Sequence, residues 1–437
     1  MKILMKKNIG KKNIAGLSLV ELMVSILIGI IVLAGLISVF DTTSTLSRTQ
    51  NGLARIQENG RYAITSMKKN IEQTGYQYCM GESNKPTTVR VPKKIAWDFT
   101  DSTQLFNSIS GVSAGWIDPA ILIHGHECDD TGLCAPLLNS TGSDNSVTIP
   151  AIGVIDGARI AGTDVLTVRY LKGRGREIEN IIISTGPSLV EVNYTVQEQT
   201  IHPTLDSQPA VGSDVILVDC SSNNTSPTVV SVVAPQSISK LTLAPNSTPP
   251  LSMSSGSFAR VFDTASDFVT VTYYVLNNII DGRSIPTLYK SVNGVSQPIV
   301  QGVDDFDVVY GVNVYNQATK QARMLYLTAD AVQSLPSGSE AGCWSLPQLP
   351  SGAEFPIGTA FAFPANTSGC GWRSVVSVEL HFLMNTIYNS STQQVPFEYT
   401  PFGVGLKQTT DIDSSIPHYL MHRKEFSTSI VLKNIMH

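Results

Sequence analysis

Between Leu17 and Phe40 the chain has no lysine, arginine, aspartate or proline, and Glu21 is the only ionisable side chain in those 24 residues. A solvated helix or a loop would carry charges or breakers over such a length. The run suffices to cross a hydrocarbon core of about 30 Å at roughly 1.5 Å per residue. Charge is scarce elsewhere too, at 15% of residues against 42% hydrophobic, which excludes a disordered chain and describes a folded protein with an anchor. A basic stripe is also missing, and that excludes non-specific nucleic-acid binding, which needs cations to displace counterions. The nearest cluster, Arg169, Lys172, Arg174 and Arg176, reads as a solvated hairpin end. There is no internal repeat at a fixed period, so a solenoid is excluded.

What is present begins with the leader. Residues 1–16 hold Lys2, Lys6, Lys7, Lys11 and Lys12 and no acid, the flank that the positive-inside rule keeps in the cytoplasm. Without the leader, 25 basic residues face 35 acidic ones, and the net charge moves from −5 to about −10. An ordinary secretory signal is cut after its apolar region. Here the polar leader ends at Gly16, before the apolar run begins, so a cut there leaves the span attached and frees an amine on Leu17. Glu21 then sits five residues into the span. A carboxylate in lipid costs on the order of a few kcal/mol, so it calls for a named partner.

Gly16-Leu17-Ser18-Leu19-Val20-Glu21, with the basic leader before it, resembles the signal of type IV prepilins and type II secretion pseudopilins. Those families usually place Phe where this chain has Leu17. The resemblance implies cleavage after Gly16 by an inner-membrane aspartyl prepilin peptidase and methylation of the Leu17 amine. It also implies pairing of Glu21 with the Leu17 amine of a neighbouring subunit.

The six cysteines, Cys79, Cys128, Cys134, Cys220, Cys343 and Cys370, all follow the span. In an N-in, C-out orientation they face the oxidising periplasm. Sequence leaves the connectivity open; the local pairs Cys128 with Cys134 and Cys343 with Cys370 are expected, leaving Cys79 with Cys220.

Beyond the span the helical period continues. Leu46, Leu53, Ile56, Ala63, Met67 and Ile71 recur at steps of three, four or seven, while Arg48, Glu58, Arg61, Lys68 and Lys69 occupy other faces. One helix is predicted from about Leu17 to Thr74, with Gly75 as its stop. Gly29, Gly35, Gly52 and Gly60 would weaken it locally, each by about 1 kcal/mol against Ala. From about Tyr76 the period changes to two, and short β-branched or aromatic runs are bounded by turn residues. They are Val165–Leu171, Leu189–Val196, Val215–Val218, Phe268–Leu276, Val308–Val314, Val375–Met384 and Phe426–Leu432. Thr328–Leu335 alone reads as a further helix. The fold class is α+β: a basic leader over 1–16, a transmembrane segment over 17–40, its amphipathic continuation over 41–75, and a mostly antiparallel β head over 76–437.

Several segments resemble, in order, blocks of the PilW family of type IV pilus minor pilins. The early ones are Ile56 to Ala63, Gly75 to Cys79, Thr163 to Tyr170 and Leu217 to Cys220. Thr272 to Leu276, Leu288 to Lys290, Val303 to Phe306 with Tyr310 to Val312, Trp372 to Val378 and Phe426 to Asn434 follow. The loops over 80–160, 221–257 and 334–370 match nothing in that pattern. The resemblance implies a low-abundance pilin that helps prime assembly and supports pilus biogenesis, twitching motility and adhesion. The implied partners are other minor pilins, the major pilin, a tip adhesin, the prepilin peptidase and the assembly platform. The implied location is the inner membrane, single-pass with a periplasmic head, and then the pilus at the cell surface. A type II secretion pseudopilin shares Gly16, Leu17 and Glu21 and is separated by the head blocks. A membrane-anchored periplasmic binding protein or enzyme is the third reading.

Three groupings resemble chemistry. Gly111-Val112-Ser113-Ala114-Gly115 matches the G-x-S-x-G elbow, but Pro119 and the polar residues before it deny the strand and helix that the motif needs. His124, His126, Cys128 and Cys134 are zinc-type donors, in a spacing unlike zinc knuckles and a compartment that oxidises thiols; a disulfide-closed loop is expected. Asp129 with Asp130, and Asp304 with Asp305, lack the alternation of a calcium loop and read as solvated loop carboxylates. No catalysis, metal or cofactor is expected of this chain.

Overall fold

The computed structural model describes residues 18–76, 78, 115–116, 122–136, 138, 143–144, 147–183, 190–194, 214–219, 228–237, 240–243, 259–316, 321–335, 348–349, 370–391, 395–400, 407–408 and 420–434. The fold is α+β, a long apolar-to-amphipathic helix followed by antiparallel sheets. The helix runs over Leu19–Ile71, 53 residues, or about 80 Å at helical rise. It ends in a turn reaching Gly75, whose positive φ of 75° is the conformation a glycine adopts without steric cost.

Two sheets hold the spine. The first has six strands in the order Val295–Gln301, Arg283–Val292, Phe268–Ile280, Val165–Leu171, Ile123–Cys128 and Cys134–Ala135. The second orders Gln321–Leu327, Val303–Asn316, Val375–Asn385 and Arg423–Val431, all antiparallel, with Gln348–Leu349 added in parallel to Val303–Asn316. Gly302, at φ 83°, turns the chain from the edge of the first sheet straight into the second. A single core joins them, with Ile56, Ala63, Met67 and Ile71 of the helix against Tyr273, Val275, Phe306, Val308, Phe382 and Ile430 of the strands.

A third set of strands is inserted between Val165–Leu171 and Phe268–Ile280, which themselves pair directly. Asp214–Asp219, Ala259–Asp263, Arg176–Ile183, Val190–Tyr194, Lys240–Leu243 and Thr228–Ser237 pair in that order, and Thr228–Ser237 pairs back to Asp214–Asp219 to close the ring. Register shifts within Arg176–Ile183 and Thr228–Ser237 let these long strands bend and serve both halves of the ring.

Every predicted strand is present, and Phe268–Ile280 and Val303–Asn316 run longer than their β-branched cores. Strands richer in charge or proline, such as Arg283–Val292 and Val295–Gln301, carry no β-branched run to announce them. The expectation of one short helix is corrected: Ala329–Gln333 lies within the predicted span, but a one-turn helix over Thr264–Asp267 and a 3-10 turn over Cys370–Ser374 accompany it. The solvated basic cluster is also corrected. Arg169 lies on a central strand and is buried, whereas Lys172 and Arg174 are exposed.

Candidate functional site: the spine helix and its seat

The spine divides by burial. Every side chain from Leu19 to Thr43 is exposed, an apolar cylinder about 33 Å long over Leu19–Phe40 that none of the described residues covers. It is the one helix among the described residues long and apolar enough to cross a membrane. Three of its hydroxyls are satisfied within the helix: Ser25 donates to the Glu21 carbonyl at 2.7 Å, Thr42 to the Ser38 carbonyl at 2.8 Å and Thr43 to the Val39 carbonyl at 2.7 Å. Such i to i−4 bonds spare lipid an orphaned donor. Glu21 sits in the first turn, exposed, behind Ser18, where the amino-terminal end of the helix dipole favours an anion. Gly16 and Leu17 lie outside the described residues.

From Ser44 upward the helix enters the head. Glycines mark the closest contacts rather than flexible points, which corrects the expectation for Gly52 and Gly60. A Cβ at Gly60 would stand 2.7 Å from the ring of Phe426, and one at Gly52 would stand 3.0 Å from a methyl of Thr386. Nothing lies near Gly29 or Gly35. Leu53 is half-buried against the core, and Leu46, below the seat, is exposed. Gly60→Val should therefore destabilise the folded chain by roughly 1–3 kcal/mol through overpacking. Thermal unfolding in detergent measures the loss, and Phe426→Ala in the same chain should recover part of it.

Polar clamps finish the seat. The Asn59 amide donates to the Gln301 carbonyl at 3.3 Å, and the Asn70 amide donates to the Tyr273 hydroxyl at 2.7 Å. The Tyr170 hydroxyl donates in turn to the Asn70 side-chain oxygen at 3.1 Å. Burial pushes the Tyr273 phenol up beyond its ordinary range, the Asn70 bond opposing it. At the helix end the Asn434 amide donates to the carbonyls of Glu72 at 3.1 Å and Thr74 at 3.3 Å, while Gly75 N–H donates to Arg169 at 3.0 Å. Orphan carbonyls of the last turn thus gain partners from the other end of the chain.

The grouping of His124, His126, Cys128 and Cys134 is not a metal set. Cys128 and Cys134 are joined to each other in a disulfide. The other expected bridges involve Cys79, Cys220 and Cys343, which lie outside the described residues, and Cys370, whose side chain is also outside them. The imidazoles belong to a buried seam between the sheets. The His124 ring lies 4.8 Å from both His126 and Trp372, and Tyr310 meets Trp372 edge-on at 4.9 Å. Gly125 is required there, because a Cβ would fall 1.8 Å from the Tyr310 oxygen. Burial, then the charges of His126 and Arg169, hold His124 well below the ordinary imidazole range.

Asp164 ties the seam together. Its carboxylate accepts Cys128 N–H at 3.1 Å and Val308 N–H at 2.9 Å, while its own N–H donates to Phe306 at 2.8 Å. Of the acids expected in solvated loops, Asp304 and Asp305 differ, whereas Asp129 and Asp130 are exposed in a loop. Asp304 and Asp305 stand on a strand, Asp304 meets Arg423 at 2.6 Å, and Asp305 is buried. Asp129 does occupy a loop, where it accepts from the Thr131 hydroxyl at 2.6 Å and from the N–H groups of Thr131 and Leu133. Among the described residues no group of three or more His, Cys, Asp or Glu is placed to hold a metal ion. Of the G-x-S-x-G run, residues 111–114 lie outside the described residues.

The model of the family described as Type IV Pilus-assembly protein W matches residues 272–434. The PilW resemblance holds over that stretch, which takes in the blocks from Thr272 to Asn434, and the chain is a type IV pilus assembly-related protein. The earlier blocks and the inserted ring of strands lie before the match. No curated protein and no solved structure matches the chain.

Proposed function

We propose, with the family match over residues 272–434 as premise, that this chain is a minor pilin of a type IV pilus. Its leader stays in the cytoplasm, the bond between Gly16 and Leu17 is cut, and the new amine on Leu17 is methylated. The spine is then drawn with its β head into an assembly at or near the pilus tip. Other minor pilins, the major pilin and a tip adhesin are its partners there, so that losing it reduces piliation, twitching and adhesion. Its work is structural.

The observation that supports this best is the division of one helix into two chemistries. Leu19–Phe40 is uncovered and apolar, and Ile56–Ile71 is built into the head core. A protein that only needed an anchor would not require that its span continue as the central element of its folded domain, whereas a subunit drawn out of a membrane by its helix would. Glu21 fits the same reading: it is the only charge on the uncovered section up to Asp41, placed where a neighbour's amine would meet it.

Mass spectrometry of the chain purified from membranes is expected to show a mature amino terminus at Leu17 carrying one methyl group. An intact Met1, or a cut elsewhere, would sink the reading.

A further inference from the structure

The head carries an exposed aliphatic patch at its membrane-facing base. Strand Phe268–Ile280 starts beside the top of the spine, where Tyr273 meets Asn70, and descends. Its hairpin brings Arg283 over the ring of Tyr388 at 5.7 Å. Tyr388 N–H donates to Thr386, the residue that packs on Gly52 near the foot of the seat. The end of that strand therefore lies at the level of Gly52. The loop 151–158 is clipped onto it by Gly157 N–H to Asn277, by the Asn277 amide to Val154 at 2.7 Å and by Ile279 N–H to Asp156 at 2.7 Å. Ile152 in turn lies against Gly132, beside Leu133. Leu133, Ile152, Val154 and Ile155 are thus brought to the end of the strand where Ile279 and Ile280, on alternate faces, are also exposed, with Val154 87%, Ile155 71% and Leu133 67% exposed. Aliphatic groups gathered so openly, on a loop held by three hydrogen bonds, mark an interaction surface.

The occupant is constrained by height and by charge. Gly52 is twelve residues above Phe40, about 18 Å up the helix, whereas the polar layer of a bilayer leaflet is only about 5–8 Å deep. An upright spine keeps the base clear of lipid. The rim is acidic on balance, with Asp129, Asp156 and Asp281 exposed around the patch against one exposed cation among the described residues there, Arg283, and the Thr131 hydroxyl first, with nearby backbone N–H groups, holds the Asp129 carboxyl below its usual range. Such a rim repels an anionic membrane, and it repels a second copy of an acidic chain.

We infer that this base patch docks the head of another spine-anchored subunit, set lower along the axis beside the neck between Phe40 and Gly52. The docking surface of that subunit has an aliphatic centre and a Lys/Arg rim. This inference rests on the assembly reading above and adds a specific face and partner chemistry to it.

The test is photo-crosslinking in the native cell with the full chain. A photoreactive phenylalanine analogue replaces Val154 in one strain and Val24, on the uncovered spine, in another. The expected result is an adduct from Val154 whose partner peptide, sequenced by mass spectrometry, comes from a different spine-anchored subunit and carries aliphatic residues flanked by Lys or Arg. Neutralising the rim with Asp129→Asn, Asp156→Asn and Asp281→Asn keeps the acceptor oxygens and should lower that yield by about three- to tenfold. An adduct to lipid or to a second copy, or a yield indifferent to the three substitutions, overturns the inference. Spine adducts from Val24 without any from Val154 overturn it while leaving the assembly reading intact. Absence of protein adducts at both positions overturns both.

Discussion

Glu21→Gln is expected to leave cleavage after Gly16 unchanged and to lower the amount of the chain recovered in pili at least about tenfold. The proposed signal for cleavage is the basic leader, Gly16 and the apolar run, and the substitution leaves the first two intact and removes only the charge from the third. Removing the charge makes the helix easier to keep in lipid, so membrane anchoring cannot be what is lost. What disappears, on the proposed pairing, is the attraction between the carboxylate and a neighbour's Leu17 amine in a medium of low dielectric, where a pair worth about 1.4 kcal/mol already accounts for tenfold. Immunoblots of sheared pili against whole membranes measure the ratio. Normal incorporation of the Gln variant would refute the pairing, and Glu21→Ala should behave as the Gln variant does. Because Glu21 lies in the first turn of an exposed helix, with none of the described head residues against it, loss of incorporation cannot be put down to misfolding of the head.

The spine was legible because one periodicity carries it from the span into the core. Leu53, Ile56, Ala63, Met67 and Ile71 fall where the structure buries a face, and Gly75 closes the turn that follows the helix for a reason visible in the sequence, its freedom at positive φ. The roles of Gly52 and Gly60 were not legible: a glycine inside a helix reads as a weak point until Phe426, more than 360 residues later, is known to press on it. The same distance hides Asn434, whose amide caps the spine. Alternation disclosed the central strands but not the sheet order, since pairing between Val165–Leu171 and Phe268–Ile280 skips an entire inserted ring. Arg169 misled for a related reason. Charge suggests solvent, and only the sheet shows that the neighbours of this arginine bury it. The His and Cys grouping illustrates the opposite case, in which local spacing indicated a closed loop over Cys128 and Cys134, but the tilted contact of His124 with Trp372 depends on residues that sequence keeps far apart.

The largest loss of stability is expected at Asp164, a residue that no local pattern singles out. Its two carboxylate oxygens satisfy N–H groups of strands in different sheets, Cys128 in the first and Val308 in the second. Asp164→Ala leaves both donors unpaired in a buried seam, and the expected cost is about 3–5 kcal/mol. Asp164→Asn retains one acceptor oxygen and should cost less. The pH dependence separates this account from simple cavity formation. Burial first, then the charges of Glu127 and Asp307, push the Asp164 carboxyl well above the usual carboxylate range, against the pull of the Val308 and Cys128 N–H groups. The folded state therefore holds this proton more tightly than the unfolded state does, and wild-type stability gains as the pH falls from neutral toward the ordinary carboxylate pKa of about 4. Asparagine cannot titrate, so the gap between wild type and Asp164→Asn should widen between about pH 7 and pH 5, as read by denaturant unfolding of the full chain in detergent. A gap that stays constant, or narrows on acidification, would mean that the carboxylate is held charged by its two N–H partners and that the seam is wetter than its packing indicates.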